Sequence, residues 1–248
     1  MRLPARPPLY ETPELRQAAG ETLRPGGLEL TRRAWALIDL APGARALDLG
    51  CGLGASTAWL AGQGLAALGL DRSAGQVRQA RQLHPGLAFM QADAAAPPLA
   101  EASLDAVFCE CVLSLCARPG EVLDQCRRLL KPGGWLVLSD VYLRRPELAP
   151  APAGPGLAGG PGLAGGSCLA GARGRGEVLD LVAAAGLRLT VWEDHSRLLK
   201  ELAARLVFAC GSLAALWECM GLGGCTGGCD PRPSRPGYYL LLARCRED

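Results

Sequence analysis

From Ala44 onward, short apolar runs alternate with helical patterns. ARALDL, AALGLD, GLAFMQAD, LDAVFC and GWLVLSDVYL have strand length, while ASTAWLAGQG, SAGQVRQARQLH and EVLDQCRRLL repeat their apolar residues at helical spacing. Such alternation predicts βαβ units on a parallel sheet, with five strands between Arg45 and Leu143. Ahead of them, Thr12, Pro13 and Glu14 start a helix with proline at its first position, Gly20 stops it, and a second amphipathic stretch runs from Leu28 to Leu40. Residues 146–176 break the rhythm: PGLAGG stands twice in tandem, at Pro155 and Pro161, and a run of that composition buries no core, so it reads as a flexible loop. Then follow the helix GEVLDLVAAAGL, the strand RLTVWED, a long helix from His195 to Met220, a Gly/Cys loop and a last strand GYYLLLARC. The expected fold is α/β, a doubly wound, seven-stranded, mostly parallel sheet with helices on both faces, in one domain over residues 1–248. Residues 1–40 make an N-terminal helical cap, 44–143 the core, and 195–236 an insertion before the last strand; cap and insertions cover the crevice.

Composition narrows the classes. With 49% hydrophobic and 20% charged residues, the 248-residue chain can bury a core, which excludes disorder throughout; 33 Gly and 19 Pro without a three-residue period exclude collagen. Twenty-six basic against 24 acidic residues leave a net charge of +2, so nothing calls for a nucleic-acid or membrane partner. No apolar run reaches the roughly 18 residues of a membrane span, and the N-terminal MRLPARPPLYETPE has prolines and charges where a secretory signal needs an apolar segment. Eleven cysteines, odd in number and often inside apolar runs, suit a reducing compartment. The expectation is a soluble, cytoplasmic protein acting on a small molecule, with its oligomeric state unspecified.

Asp48-Leu49-Gly50-Cys51-Gly52-Leu53-Gly54 closes the first strand and opens a helix, where glycines permit a tight turn and close approach of a ligand to backbone N–H groups. Gly50-x-Gly52-x-x-Ala55 also satisfies the loose dinucleotide pattern, so the glycines alone leave a nicotinamide dehydrogenase open. Asp48 argues otherwise. Two residues before the first glycine, its charge repels a pyrophosphate and attracts an ammonium. Asp71 lies about 20 residues beyond the turn, where a ribose-binding acid belongs.

ALDLGCGLG, the acid ending LGLDRS, QADA after the third strand, and LLKPGGWLVLSD together resemble the ordered motifs of class I S-adenosylmethionine-dependent methyltransferases of type 11, across residues 44–143. The resemblance implies a Rossmann-like fold and S-adenosylmethionine as cofactor. It implies that Gly50, Cys51, Gly52 and Gly54 face the methionine part and Asp48 orients its amino group. Asp71 with Arg72 would take the ribose, and Asp93 with Ala94 the adenine edge. Cys109 ends the fourth strand beside the donor.

Cys109-Glu110-Cys111-Val112-Leu113-Ser114-Leu115-Cys116 follows that strand, at the position facing the methyl donor, and thiolates select soft centres. CECVLSL and GGSCLAGARGRGEVLDLVAAAGL are similar to segments of arsenite methyltransferases, which implies Cys111 and Cys168 as metalloid ligands. Glu110 stands where that family has Asn, and no cysteine precedes Cys51. Small-molecule O- or C-methylation of the quinone-precursor type is the alternative, with Glu110 or His195 as general base. A non-catalytic metal- or metalloid-binding protein on the same scaffold is another. Cys219, Cys225 and Cys229 lack zinc-finger spacing, so no metal site is assigned. Tyr10 and Arg24-Pro25-Gly26-Gly27 sit in the cap, and Tyr238 and Tyr239 read as packing residues of the last strand.

Overall fold

The computed structural model describes residues 10, 13–148, 168–212 and 234–246. Its strands are β1 (Arg45–Leu49), β2 (Ala66–Asp71), β3 (Ala88–Gln91), β4 (Leu104–Glu110), β5 (Leu130–Leu143), β6 (Arg173–Gly174), β7 (Leu187–Asp194) and β8 (Pro236–Cys245). The α-helices are α1 (Pro13–Ala19), α2 (Glu29–Trp35), α3 (Ala55–Gly62), α4 (Ala74–Leu83), α5 (Pro119–Leu129), α6 (Arg175–Ala184) and α7 (Ser196–Cys210). The sheet runs β3-β2-β1-β4-β5-β8-β7, with the two-residue β6 beside β5. All pairings are parallel except those of β8, which lies antiparallel between β5 and β7. The seven expected strands are present, and β6 is an eighth that two residues cannot announce by periodicity.

The strands read as continuous apolar runs because both faces of the sheet are covered. Alternate residues therefore belong to different cores. Leu47, Leu49, Val107, Cys109, Leu136 and Leu138 pack under α5 and α6, against Val122, Leu123, Cys126, Val178 and Val182. Ala46, Ala106, Phe108 and Val137 face the other way, against Leu30 and Ala34 of α2, Leu60 of α3 and Leu198 of α7. A one-residue slip in any central strand would exchange the two sets, which pins the register.

Gly133 lies inside β5 at φ +74°. There the β4–β5 register jumps from Leu104↔Leu130 to Ala106↔Trp135, so KPGG is a bulge that lets β5 begin early. The first helical stretch ends at Ala19, and the second is shorter than its pattern, closing at Trp35. Leu15 and Ala18 of α1 bury against Leu202 and Leu206 of α7, joining the cap to the element before the last strand. Arg16 of α1 also donates to Gln79 Oε1 on α4 (2.8 Å). Helix α7 is described as far as Cys210; its expected continuation to Met220 and most of the 146–176 loop lie outside the described residues.

Candidate functional site

Strand order reverses between β1 and β4, and the crevice at the carboxyl ends of these strands is where open α/β sheets bind ligands. Here β1 runs into the glycine turn. Gly50, Gly52 and Gly54 adopt φ values of +78°, +54° and +85°, a region costly for residues with a Cβ. Both Gly50 N and Cys51 N donate to Leu70 O, wrapping the turn around the end of β2. A Cβ on Gly50 would lie 2.2 Å from Val112 Cγ2, and one on Gly54 2.6 Å from Phe89 Cζ. These two glycines let the following loop and β3 close in. Gly52 differs: its Cβ would meet only Leu23 Cδ1, at 3.6 Å, so its backbone faces the roomier side.

Asp71, ending β2, ties that turn down. Its Oδ2 accepts from Gly52 N (2.9 Å) and its Oδ1 from Ser73 N (2.8 Å). The cap of α4 is Ser73, whose Oγ accepts from Gln76 N, so Asp71 is left facing the turn. Arg72 is exposed beside it. Asp93, exposed beyond β3, holds its own loop through Ala95 N → Oδ1 (2.9 Å), and Ala94 packs partly against the core. Asp71 and Asp93 thus stand at neighbouring strand ends, since Asp71 pairs with Gln91.

The floor is charged and nearly dry. Asp48 is 2% exposed and accepts from Thr57 Oγ1 at 2.7 Å. Burial pushes its carboxyl up to about 7, the Thr57 bond opposes that, and the nearby Glu110 charge adds to it. Glu110, 5% exposed at the end of β4, pairs with Arg24 (2.9 Å) and accepts from Thr31 and Ser56. Arg24 in turn donates to Thr31 Oγ1 (2.7 Å) and Ser56 Oγ (2.9 Å). Two carboxylates face one guanidinium, leaving one excess negative charge when both are ionised. A buried carboxyl held near neutrality for want of a counter-charge suits a cationic ligand. The sequence singles out Arg24 only as part of a turn; its partners lie on α2, α3 and β4, and no local pattern joins them.

At the end of β4 the cysteines separate. Cys109 points into the core beside Cys126, away from the crevice. Cys111, just past the end of β4 at φ +58°, packs against the other core; its Sγ lies 3.1 Å from Tyr238 Oη, which also contacts Ser139 Oγ at 3.4 Å. Cys168, on a short 3-10 turn before β6, packs against the same core as Cys111 and is near enough that the charge of its thiolate acts on Cys111. Burial raises both thiols, Cys168 to about 12, and each stays protonated at neutral pH. Asp140, unremarked in the sequence, is buried and accepts from Ser114 N (2.8 Å) and Ser114 Oγ (2.6 Å). It anchors the turn after β4. Burial lifts its carboxyl to about 6.

His195 opens α7 and bonds Glu193 Oε2 (2.9 Å), which also holds Arg33. It sits at the end of β7, three strand spacings from β4, or roughly 14 Å. Cys219, Cys225 and Cys229 lie outside the described residues, and among the described residues no group of three His, Cys, Asp or Glu could hold a metal ion. Among those residues no helix is long and apolar enough to cross a membrane.

Residues 47–138 match the family described as "Methyltransferase domain". The chain is 37% identical over 99 residues to a demethylmenaquinone methyltransferase of Beutenbergia cavernae, covering 40% of this chain and 41% of that one. It is 39% identical over 127 residues to a trans-aconitate 2-methyltransferase of Methylobacterium nodulans, covering 48% and 45%. The chain spans less than half the length of these curated relatives. The crystal structure of the cyclase SpnF superposes with a TM-score of 0.67 at 24% identity, over 90% of this chain and 82% of that one, a likeness of fold alone. Other structures of this fold are methyltransferases solved with S-adenosylmethionine or S-adenosylhomocysteine. Residues 47–138 thus resemble methyltransferase domains in sequence, and the chain shares the fold of these solved structures.

Proposed function

We propose that this chain is an S-adenosylmethionine-dependent methyltransferase acting on a small organic acceptor. The observation that carries the reading is the pairing, at the sheet's switch point, of a glycine turn held by Asp71 with a buried excess negative charge on Asp48 and Glu110. Asp48 is the residue to balance the amino group of the methionine part, Asp71 to accept from ribose hydroxyls, and Asp93 with Ala94 to meet the adenine edge. When bound, the cofactor supplies a methyl group on a sulfonium, open to in-line attack by an acceptor lone pair. The chain's own part is orientation and exclusion of water. Glu110 already accepts from Arg24, Thr31 and Ser56, so its role is to fix the floor rather than to take a proton. His195, bonded to Glu193 and roughly three strand spacings away, serves as base only for an acceptor that reaches across β5 and β8.

The quinone-precursor class suits this reading, because one relative is named for demethylmenaquinone. A metalloid acceptor is the second reading, favoured by one observation: Cys111 and Cys168 share a cluster. Their weakened acidity and the Cys111–Tyr238 contact weigh toward packing in the free protein. A screen with methyl-labelled cofactor against quinone-like phenols, small carboxylic acids, thiols and arsenite decides between them. Label on an organic acceptor with Cys111→Ser unimpaired supports the first; label on arsenite alone, abolished by Cys111→Ser and Cys168→Ser, establishes the second. No heat of binding with S-adenosylmethionine would return the chain to a non-catalytic scaffold.

A further inference from the structure

The cap delivers a charged side chain to the crevice floor. Leu23, in the left-handed region at φ +55°, closes the short turn Gly20–Thr22, and its Cδ1 lies 3.6 Å from where a Cβ on Gly52 would stand, so the cap rests on the glycine turn. Beside it Arg24 reaches Glu110 Oε2, Ser56 Oγ and Thr31 Oγ1 at 2.9, 2.9 and 2.7 Å, which ties the cap to β4, α3 and α2 at once. The cap has other anchors: Leu15 and Ala18 pack on α7, Arg16 bonds Gln79, and Gln76 Nε2 donates to Tyr10 O (3.2 Å). A guanidinium drawn out of water is a costly way to add one more.

What Arg24 does beyond anchoring is set the charge of the floor. The groups facing it are Glu110 of β4, Tyr238 of β8, Asp48 of β1 and Cys111. Burial keeps Tyr238 and Cys111 protonated at neutral pH, and does the same for Cys51 beside Asp48, so the charges that matter are two carboxyls and one guanidinium. On Asp48 the neighbouring charges oppose each other, since Glu110 raises its carboxyl and Arg24 lowers it. Two buried carboxyls without a counter-charge cannot both ionise, and one of them keeps a proton. With Arg24 paired to Glu110, the floor reaches one net negative charge when Asp48 alone gives up its proton.

We propose that Arg24 is a positioning residue for the cofactor: through it the cap fixes Glu110 in the floor as a balanced charge, so that the amino group of the methionine part meets one net negative charge and releases a single proton, from Asp48. Arg24 touches neither cofactor nor acceptor in this role and acts through Glu110. The proposal rests on the S-adenosylmethionine reading of the crevice.

The test counts protons, which a purely structural role leaves unchanged. The full chain is titrated calorimetrically with S-adenosylhomocysteine at pH 7, 8 and 8.5, each in two buffers of different ionisation enthalpy. With Asp48 at about 7, wild type should release about one-tenth of a proton at pH 8. A neighbouring guanidinium lowers a carboxyl's pKa by about one to three, so Arg24→Gln should release about half a proton or more there. Its affinity at pH 7 should stand about eightfold below that at pH 8.5, against about twofold for wild type. Arg24→Lys keeps the charge and should release as little as wild type. Arg24→Gln combined with Glu110→Gln removes both opposing charges and should return proton release close to the wild-type value; this double variant decides if Arg24→Gln alone disturbs folding. Arg24→Gln with the wild-type proton count and pH profile, whatever its affinity, overturns the proposal. So does Arg24→Lys behaving like Arg24→Gln, or a double variant whose count stays raised. Wild type that binds no S-adenosylhomocysteine overturns the cofactor reading and the proposal with it, whereas the other adverse results leave that reading intact.

Discussion

Cofactor binding should be linked to the proton on Asp48. In the free protein burial holds this carboxyl at about 7, so near pH 6 about nine-tenths of the molecules carry the proton. A ligand ammonium or sulfonium beside Asp48 favours the ionised form and pulls its pKa back toward the ordinary carboxylate value of about 4. Binding at pH 6 must then expel close to one proton, and affinity must fall by about tenfold per pH unit below 7. Between about pH 8 and pH 5.5 the loss is about 30-fold, or about 2 kcal/mol at 1.36 kcal/mol per pKa unit. The assay is calorimetric titration with S-adenosylhomocysteine in two buffers of different ionisation enthalpy, which counts protons released directly. Asp48→Asn keeps the shape and the Thr57 contact while removing the titration, so its binding should be weak at high pH and flat with pH. A wild-type affinity flat over this range, or a slope retained in Asp48→Asn, would refute the assignment.

The same carboxyl sets the sign of the free protein's stability. Asp48 and Asp140 have folded values of about 7 and about 6, above the ordinary 3.8, so between pH 4 and 7 the folded state binds more protons than the unfolded. Their contribution is present at low pH and lost as pH rises; Tm without cofactor should therefore be higher near pH 6 than pH 8, and the reverse order would contradict their burial. Asp71→Ala removes an acceptor from Gly52 N and from the ribose, so cofactor affinity should drop by about 1.5–3 kcal/mol in the same calorimetry, and an unchanged value would return Asp71 to a structural role. Gly50→Ala forces a Cβ against Val112 at φ +78°, and thermal unfolding should show a loss of about 1–3 kcal/mol, whereas Gly52→Ala, with open space, should keep more of the packing.

What the chain's own order of residues determined is whatever is written locally. The period of two and of 3.6, the glycines of Gly50-Cys51-Gly52-Leu53-Gly54 and the acids Asp48, Asp71 and Glu110 at the ends of β1, β2 and β4 are properties of short segments, so strands, helices and the glycine turn were legible. The doubly wound class followed because strands alternating with helices make βαβ units, whereas the order of the strands was read only from the structure. Segment composition is silent on contacts between distant segments, and those the tertiary structure decided. Strand β8 slots between β5 and β7 because its apolar residues find both sheet faces covered there, as Tyr238, Leu240 and Leu242 face one core and Tyr239, Leu241 and Ala243 the other. The buried Arg24–Glu110 pair joins a turn of the cap to β4, since a charge drawn into the core needs an opposite charge from whichever element lies beside it. Cys111 and Cys168, similar in sequence setting to many apolar cysteines, became neighbours only when the turn at Cys168–Gly171 came down against Ser114; Cys109 keeps the face that β4 gives it, while Cys111, just past the end of that strand at φ +58°, leaves the strand's alternation and packs against the opposite core.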